Sequence, residues 1–134
     1  MIRVQALDHF VLRVHDLERS LAFYRDLLEL EVLFLEEFRA GARPFVSVRI
    51  GEQLLDLVPD PAFAGADLGP HSGFLHFCVR VAGNLEELIP LLQANGVVLV
   101  DDKPAWRMGA SGWGWSLYVR DPDGYIVELK EGNS

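Results

Sequence analysis

The chain has 134 residues, a size that fits one domain, and its composition of 50% hydrophobic and 24% charged residues is typical of a soluble globular protein. The formal net charge of −8 argues against nucleic acid or an anionic membrane as a partner, and no apolar run approaches the roughly 20 residues that span a bilayer. A single cysteine excludes an internal disulfide, and with no secretory signal visible we expect a reducing, cytoplasmic location.

Two stretches that repeat each other organise the chain. Residues 7–14 and 74–81 share the pattern His-Phe-x-x-Arg-Val, and their histidines, His9 and His76, are about half of the chain length apart. Both stretches alternate as strands do, so that apolar side chains share one face and the histidine lies on the other. The repeat therefore predicts an internal duplication.

The first module, about 4–58, begins with the strand that contains His9. Asp16 is a plausible N-cap for a helix that runs to about Leu28. Three more strands are expected, at 32–35, 45–50 and 53–58. The last two flank Gly51-Glu52, which fits a two-residue type II′ hairpin because glycine takes the first central position.

A connector, 59–73, is rich in proline and glycine and leads to the second module, about 74–131. This module repeats a strand and a helix, the helix being capped by Asn84 and ended by Gly96. We expect a strand at 97–100, a loop at 101–112, and a final hairpin of 113–120 and 125–130.

The turn of the final hairpin decides which side chains face each other. Asp121-Pro122-Asp123-Gly124 predicts a three-residue loop with a glycine bulge. In that register Tyr118 lies directly across from Glu128, whereas a plain two-residue turn would put Tyr118 on the opposite face.

Four polar residues form two related pairs. His9 and His76 occupy the same position in the first strand of each module, and Asp56 and Glu128 occupy the same position in the last. Two imidazoles and a carboxylate suit a divalent transition metal such as Fe, Mn, Zn, Ni or Co, with positions left open for a substrate. A strand histidine that is hydrogen-bonded in the core is the alternative reading.

Residues 7–10 (Leu-Asp-His-Phe), 16–26 and 116–129 resemble the vicinal oxygen chelate superfamily, which holds glyoxalase I, extradiol dioxygenases, fosfomycin-resistance enzymes and bleomycin-resistance proteins. The resemblance implies a single domain over 1–134 with an α+β fold, in which two βαβββ modules form a paired, cup-shaped sheet.

The resemblance also implies roles for individual residues. It assigns one divalent metal ion to His9, His76 and Glu128. Asp56 falls where glyoxalase I-like members have a fourth ligand, a glutamate; because aspartate is shorter, we expect Asp56 to act next to the metal or as a base. Tyr118 matches a tyrosine that contacts substrate in related enzymes, with cross-strand packing as its alternative role.

Other residues complete the candidate site. Ser47 and Trp113 are candidate substrate-binding residues. Trp113 lies near Trp106 and Trp115 beside a glycine-rich loop; this cluster could line a cleft, and could equally cover a sheet edge or a dimer interface. Glu29 stands where the family usually has glycine.

The expected function is a metal-dependent enzyme that chelates vicinal oxygens of a small substrate, with dioxygenase, lyase or isomerase, or epoxide-opening chemistry. The alternative is a metal-free protein that sequesters a cationic antibiotic, as bleomycin-resistance members do. The resemblance further implies a homodimer. In it, His9 of one chain could face His76 and Glu128 of the partner, because the connector 59–73 is long enough for either arrangement.

Overall fold

Each half of the chain forms a four-stranded mixed sheet in which one edge pair of strands is parallel and the other pairs are antiparallel. The computed structural model describes residues 1–132, and its two units are Met1–Ala64 and the residues from Gly65 on. The observed elements confirm an α+β fold of two related modules.

The first unit has the strand order β1-β4-β3-β2. In chain order it contains β1 (His9–Val14), α1 (Leu17–Leu21), β2 (Val32–Leu33), α2 (Leu35–Arg39), β3 (Val46–Ile50) and β4 (Gln53–Pro59). Helix α1 continues as a π-helical segment, Ala22–Leu27. As predicted, Asp16 caps α1, because its carboxylate accepts a hydrogen bond from the Glu18 backbone N–H at 3.0 Å.

The core of the first unit lies between α1 and β4, which pack together. Leu21, Tyr24, Leu55 and Leu57 are fully buried there. Each fully buried leucine of this kind contributes on the order of 1.5–3 kcal/mol of transfer free energy. Because strand residues alternate between faces, the packing of Leu55 and Leu57 on one face directs Asp56 to the other.

The second unit has the equivalent order β5-β8-β7-β6. It contains β5 (Phe77–Val81), α3 (Leu85–Ala94), β6 (Ala105–Gly109), β7 (Gly112–Arg120) and β8 (Ile126–Glu131). Helix α3 packs on β7 and β8, is capped by Asn84, and ends before Gly96, whose φ of +73° requires the left-handed region. No helix in residues 1–132 is long and apolar enough to cross a membrane.

Both predicted hairpin turns are confirmed. Ile50 pairs with Gln53 around Gly51, whose φ is +59°. In the second unit, the backbone N–H of Asp121 donates to the carbonyl of Tyr125 at 2.8 Å, and Tyr118 pairs with Glu128. The glycine-bulge register is therefore correct.

The edge strands differ from the prediction. The strand expected at 32–35 stops at Leu33 because Phe34 adopts φ +69°, and α2 follows. The strand expected at 97–100 is reduced to a bridge between Leu99 and Val119, and the loop expected at 101–112 contains β6. An edge strand has only one paired neighbour, so local backbone geometry overrides its apolar pattern more easily than in a central strand.

Candidate functional site

In the first unit, the parallel pairing of β1 and β4 brings His9 beside Asp56. The Nε2 atom of His9 lies 4.0 Å from Oδ2 of Asp56. The other carboxylate oxygen of Asp56, Oδ1, accepts a hydrogen bond of 2.6 Å from the hydroxyl of Ser47, which is directly across on β3. Three of the predicted site residues therefore lie together on one face of this sheet.

The ring of His9 is oriented by its neighbour in sequence. Its Nδ1 lies 2.6 Å from a carboxylate oxygen of Asp8, and because a carboxylate only accepts, Nδ1–H is the donor. This contact raises the pKa of His9 above its usual value, with burial opposing the shift and the charge of Asp56 adding to it. In the neutral ring, the proton on Nδ1 leaves Nε2 unprotonated, with its lone pair toward Asp56. This tautomer is suited to metal binding.

The second unit repeats this pair with a shorter distance. His76, next to the start of β5, places Nε2 at 3.0 Å from Oε1 of Glu128 on β8. The hydroxyl of Ser116 donates to the second oxygen, Oε2, at 2.7 Å. Glu128 and Ser116 are 6% and 1% exposed, so the carboxylate is buried with both oxygens in contact with polar groups.

Tyr118 completes the Glu128 face. Its ring stands edge-on to the ring of His76 with centroids 5.2 Å apart, and the guanidinium of Arg107 lies 5.9 Å from the Tyr118 ring centroid. Burial raises the pKa of the Tyr118 phenol, and the adjacent Glu128 carboxylate raises it further. The phenol therefore stays protonated near neutral pH and serves as a hydrogen-bond donor.

Glu128 is held as an anion. Burial alone would raise its pKa, but hydrogen bonds from Ser116 and Tyr118 and the charge of His76 hold the pKa of Glu128 below its usual range. Cys78 on β5 pairs with Glu128 on β8. Burial and the Glu128 carboxylate raise the pKa of the Cys78 thiol to about 11. The thiol is therefore neither a nucleophile nor a ready ligand near neutral pH.

Trp113 does not join these residues. On β7 it shares a face with Leu117 and lies opposite Met108, whereas Tyr118 and Ser116 point to the other face. Trp113 is 56% exposed, and the neighbouring rings of Trp106 and Trp115 contact each other with centroids 5.2 Å apart. Strand alternation over the predicted strand 113–120 already indicates this separation, because Trp113 and Tyr118 are five residues apart.

The donor atoms in each unit fit part of a metal site. Two ligands that are each about 2.1 Å from an ion, at a right angle, would lie about 3 Å apart, which is the separation of His76 Nε2 and Glu128 Oε1. Within residues 1–132 no group of three or more His, Cys, Asp or Glu side chains is gathered closely enough to hold a metal ion. Each unit thus offers one histidine–carboxylate pair.

Two contributors were not singled out from the sequence. Asp8 was noted only as part of the motif, although its place next to His9 would have allowed a ring-orienting role. Ser116 lies two residues before Tyr118 on the predicted strand 113–120, and its diagonal position relative to Glu128 on the neighbouring strand is the signal that could have identified it.

Comparison with known proteins agrees with this description. The family model described as "Glyoxalase/Bleomycin resistance protein/Dioxygenase superfamily" matches residues 6–129, and the chain belongs to this superfamily. The chain is similar to glyoxalase domain-containing protein RDO1 of Mycosarcoma maydis, with 30% identity over 129 residues that cover 96% of this chain and 69% of that protein.

Two further relatives are similar over nearly their whole length. A lactoylglutathione lyase of Salmonella typhimurium is 30% identical over 127 residues, covering 92% of this chain and 90% of the relative. Among solved structures, an integron cassette protein from the mobile metagenome of V. cholerae has a TM-score of 0.73 and 26% identity, with 99% of each chain covered.

Proposed function

We propose that this protein is a divalent-metal-dependent enzyme of the glyoxalase type, with His9, His76 and Glu128 as metal ligands. The observation that carries the proposal is the repeated histidine–carboxylate pair, in which each carboxylate is buried and also accepts from a serine hydroxyl. Each pair places an imidazole nitrogen beside a carboxylate oxygen, and these are ligand types that divalent transition metals bind in proteins.

The two carboxylates have different roles in this proposal. Glu128 is 3.0 Å from its histidine nitrogen, as a fellow ligand would be, whereas Asp56 is 4.0 Å from its own. We assign Asp56 the role of a base beside the metal rather than of a fourth ligand, because its side chain is one methylene shorter than that of glutamate.

A bound metal would act as a Lewis acid on two adjacent oxygens of a small substrate. Asp56 would take a proton from one substrate carbon and return it to the neighbouring carbon, so that the reaction is an isomerisation with no net loss of atoms. With Glu128 bound to the metal, Tyr118 would redirect its phenol hydrogen from that carboxylate to a substrate oxygen. Ser116 would keep Glu128 in its binding orientation.

The similarity to lactoylglutathione lyase suggests the first compounds to test, lactoylglutathione and the glutathione thiohemiacetal that is its isomer. Oxygen uptake with catechols and ring opening of small epoxides test the other reactions expected in the superfamily. Turnover of none of these by the metal-loaded protein, combined with protection of DNA from bleomycin by the metal-free protein, would favour antibiotic sequestration instead.

Metal binding is tested by elemental analysis of gently purified protein and by equilibrium dialysis. We expect His76→Ala to lower affinity by orders of magnitude while the protein stays folded. His71→Ala is the matched control, because His71 is an exposed loop histidine with no assigned role. Wild-type stoichiometry in His76→Ala would rule out the ligand set.

We also propose a homodimer in which His9 of one chain completes the site formed by His76 and Glu128 of its partner. Two observations support this dimer. Each unit has one histidine–carboxylate pair and therefore lacks a full ligand set, and the N-terminal segment has exposed apolar residues. Ile2, Val4 and Leu7 are 94%, 82% and 64% exposed, an arrangement better suited to a contact with another chain than to solvent.

A further inference from the structure

An arginine in the first unit is held in place by a segment that the sequence pattern did not predict. Helix α2 begins after Phe34, which has φ +69° and ψ +21° and no side-chain cap. Bulky aromatic residues seldom adopt this left-handed conformation, and such outliers persist where the surrounding structure requires them, often at ligand-binding sites. The contacts of the Phe34 ring indicate what it supports.

The Phe34 ring contacts Arg43, which follows α2. The guanidinium carbon of Arg43 lies over the ring of Phe34 at 3.9 Å and over the ring of Phe45 at 4.5 Å. Both distances are within the range of cation–π attraction. Contacts of this kind cover the faces of a guanidinium and leave its N–H donors, which lie in its plane, available for other partners.

One of those donors has no acceptor within residues 1–132. The Nε atom of Arg43 is buried without a hydrogen-bond partner, and within residues 1–132 the side chain makes no hydrogen bond or ion pair. By contrast, Arg13, Arg25 and Arg39 of the same unit each lie within 3.5 Å of a carboxylate oxygen. A buried donor without a partner is costly, and an acceptor group of a bound ligand would remove that cost.

Arg43 is four residues before Ser47 along the chain, in the segment that leads into β3. Phe45 immediately precedes β3 and is two residues before Ser47, so strand alternation directs both toward the same side. On that side Ser47 donates to Asp56, the proposed base. A substrate that reacts at Asp56 could therefore extend along β3 toward the guanidinium.

We propose that Arg43 is a specificity-determining residue that binds an oxyanion group of the substrate, either a carboxylate or a phosphate-type group. This inference rests on the proposed function in one respect: the substrate is taken to bind on the face of the sheet that carries Asp56. A guanidinium matches the geometry of both groups through paired N–H donors, and the two rings fix its orientation before the ligand arrives.

The test is a titration of the full-length, metal-free, 15N-labelled protein with methylphosphonate and, in parallel, with acetate. Ionic strength is held constant with sodium chloride, and arginine Nε–H signals are followed by NMR. We expect one signal, identified by its absence in Arg43→Lys, to shift saturably with at least one of the two anions. The arm that saturates at lower concentration identifies the preferred group.

Variants separate a binding role from a structural one. Arg43→Gln should weaken binding, followed on backbone amides, by about tenfold or more. Arg39→Gln removes the same charge from the nearby helix α2 and should leave affinity within about twofold. If Arg43→Gln does not fold, Arg43→Lys and the wild-type titration decide the matter.

The absence of any saturable Nε–H shift in the wild type, or an equal loss of affinity in both glutamine variants, would overturn the proposal. Because the titration contains no metal, its outcome is independent of the metal-dialysis experiment. If His9, His76 and Glu128 do not bind a metal, the dialysis experiment would show it without affecting the anion titration.

Discussion

At the scale of single residues, a buried serine hydroxyl accompanies each candidate carboxylate. Ser47 donates to Asp56 from directly across the sheet, and Ser116 donates to Glu128 from a diagonal position. Because both serines are 1% exposed, their hydroxyls cannot exchange this bond for water at low cost. Ser47, a candidate for substrate binding, is thus engaged in holding Asp56 in the described structure.

Removal of the Ser116 hydroxyl should affect both stability and metal binding. In Ser116→Ala, Oε2 of Glu128 loses its donor, so we expect a loss of roughly 1–3 kcal/mol in the free energy of unfolding. Metal affinity should fall by roughly 10–100-fold, because the carboxylate is no longer oriented. Urea denaturation and equilibrium dialysis measure the two effects.

Ser72→Ala is the control for that variant, since the Ser72 hydroxyl donates to the carbonyl of Phe74 in an exposed loop. It should change neither quantity by more than about 0.5 kcal/mol. A Ser116→Ala protein with wild-type metal affinity would show that the hydroxyl serves packing alone.

Asp56→Asn distinguishes a base from a ligand. Asparagine keeps the shape and an acceptor for Ser47 but cannot take a proton, so we expect nearly full metal content and a fall in turnover of about 10²-fold or more. Metal content is measured by elemental analysis and turnover with whichever substrate the panel identifies. An empty site in this variant would instead make Asp56 a fourth ligand.

At the scale of elements, turn chemistry made the central strands predictable. Gly51 and the Asp121–Gly124 loop fixed two hairpin registers, and those registers bring Ser47 opposite Asp56 and Tyr118 opposite Glu128. The edges were less predictable: nothing in the local pattern distinguished Phe34 as left-handed, since the residues around it are apolar in the manner of a strand. Trp113 and Tyr118 lie five residues apart on one strand, so alternation alone places them on opposite faces, and a substrate-binding role for Trp113 stays a prediction.

The end of the π-helical segment offers a stability test. Glu29 follows this helix with φ +57°, in the left-handed region where glycine has no steric penalty, and the family resemblance also suggests glycine at this position. Glu29→Gly should therefore raise the free energy of unfolding by about 1 kcal/mol and the Tm by about 2–8 °C. Thermal denaturation checks both.

Glu31→Gly is the matched control, because Glu31 is exposed nearby and does not have a positive φ. There the added backbone freedom of glycine should lower the Tm or leave it unchanged. An equal rise in both variants would indicate that removal of negative charge, rather than relief of backbone strain, is responsible.

At the scale of the whole molecule, the proposed ligand set is divided between the two units. The first unit contributes His9 and the second contributes His76 and Glu128, so any site with all three requires both units. The sequence repeat was sufficient to predict the two modules and the equivalent pairs. It could not predict whether the units that share a metal belong to one chain or two, because the connector 59–73 permits both arrangements.

Mixing two inactive variants decides between these arrangements. In a shared site, His9→Ala and Glu128→Ala chains should form heterodimers in which one site has all three native ligands and the other lacks two. Random exchange of equal amounts should restore about a quarter of the wild-type metal content per chain. His76→Ala mixed with Glu128→Ala is the control, since both changes affect the same unit and no native site can form. With exchange verified by mass spectrometry of isotope-labelled chains, absence of recovery in the first mixture would place all three ligands within one chain.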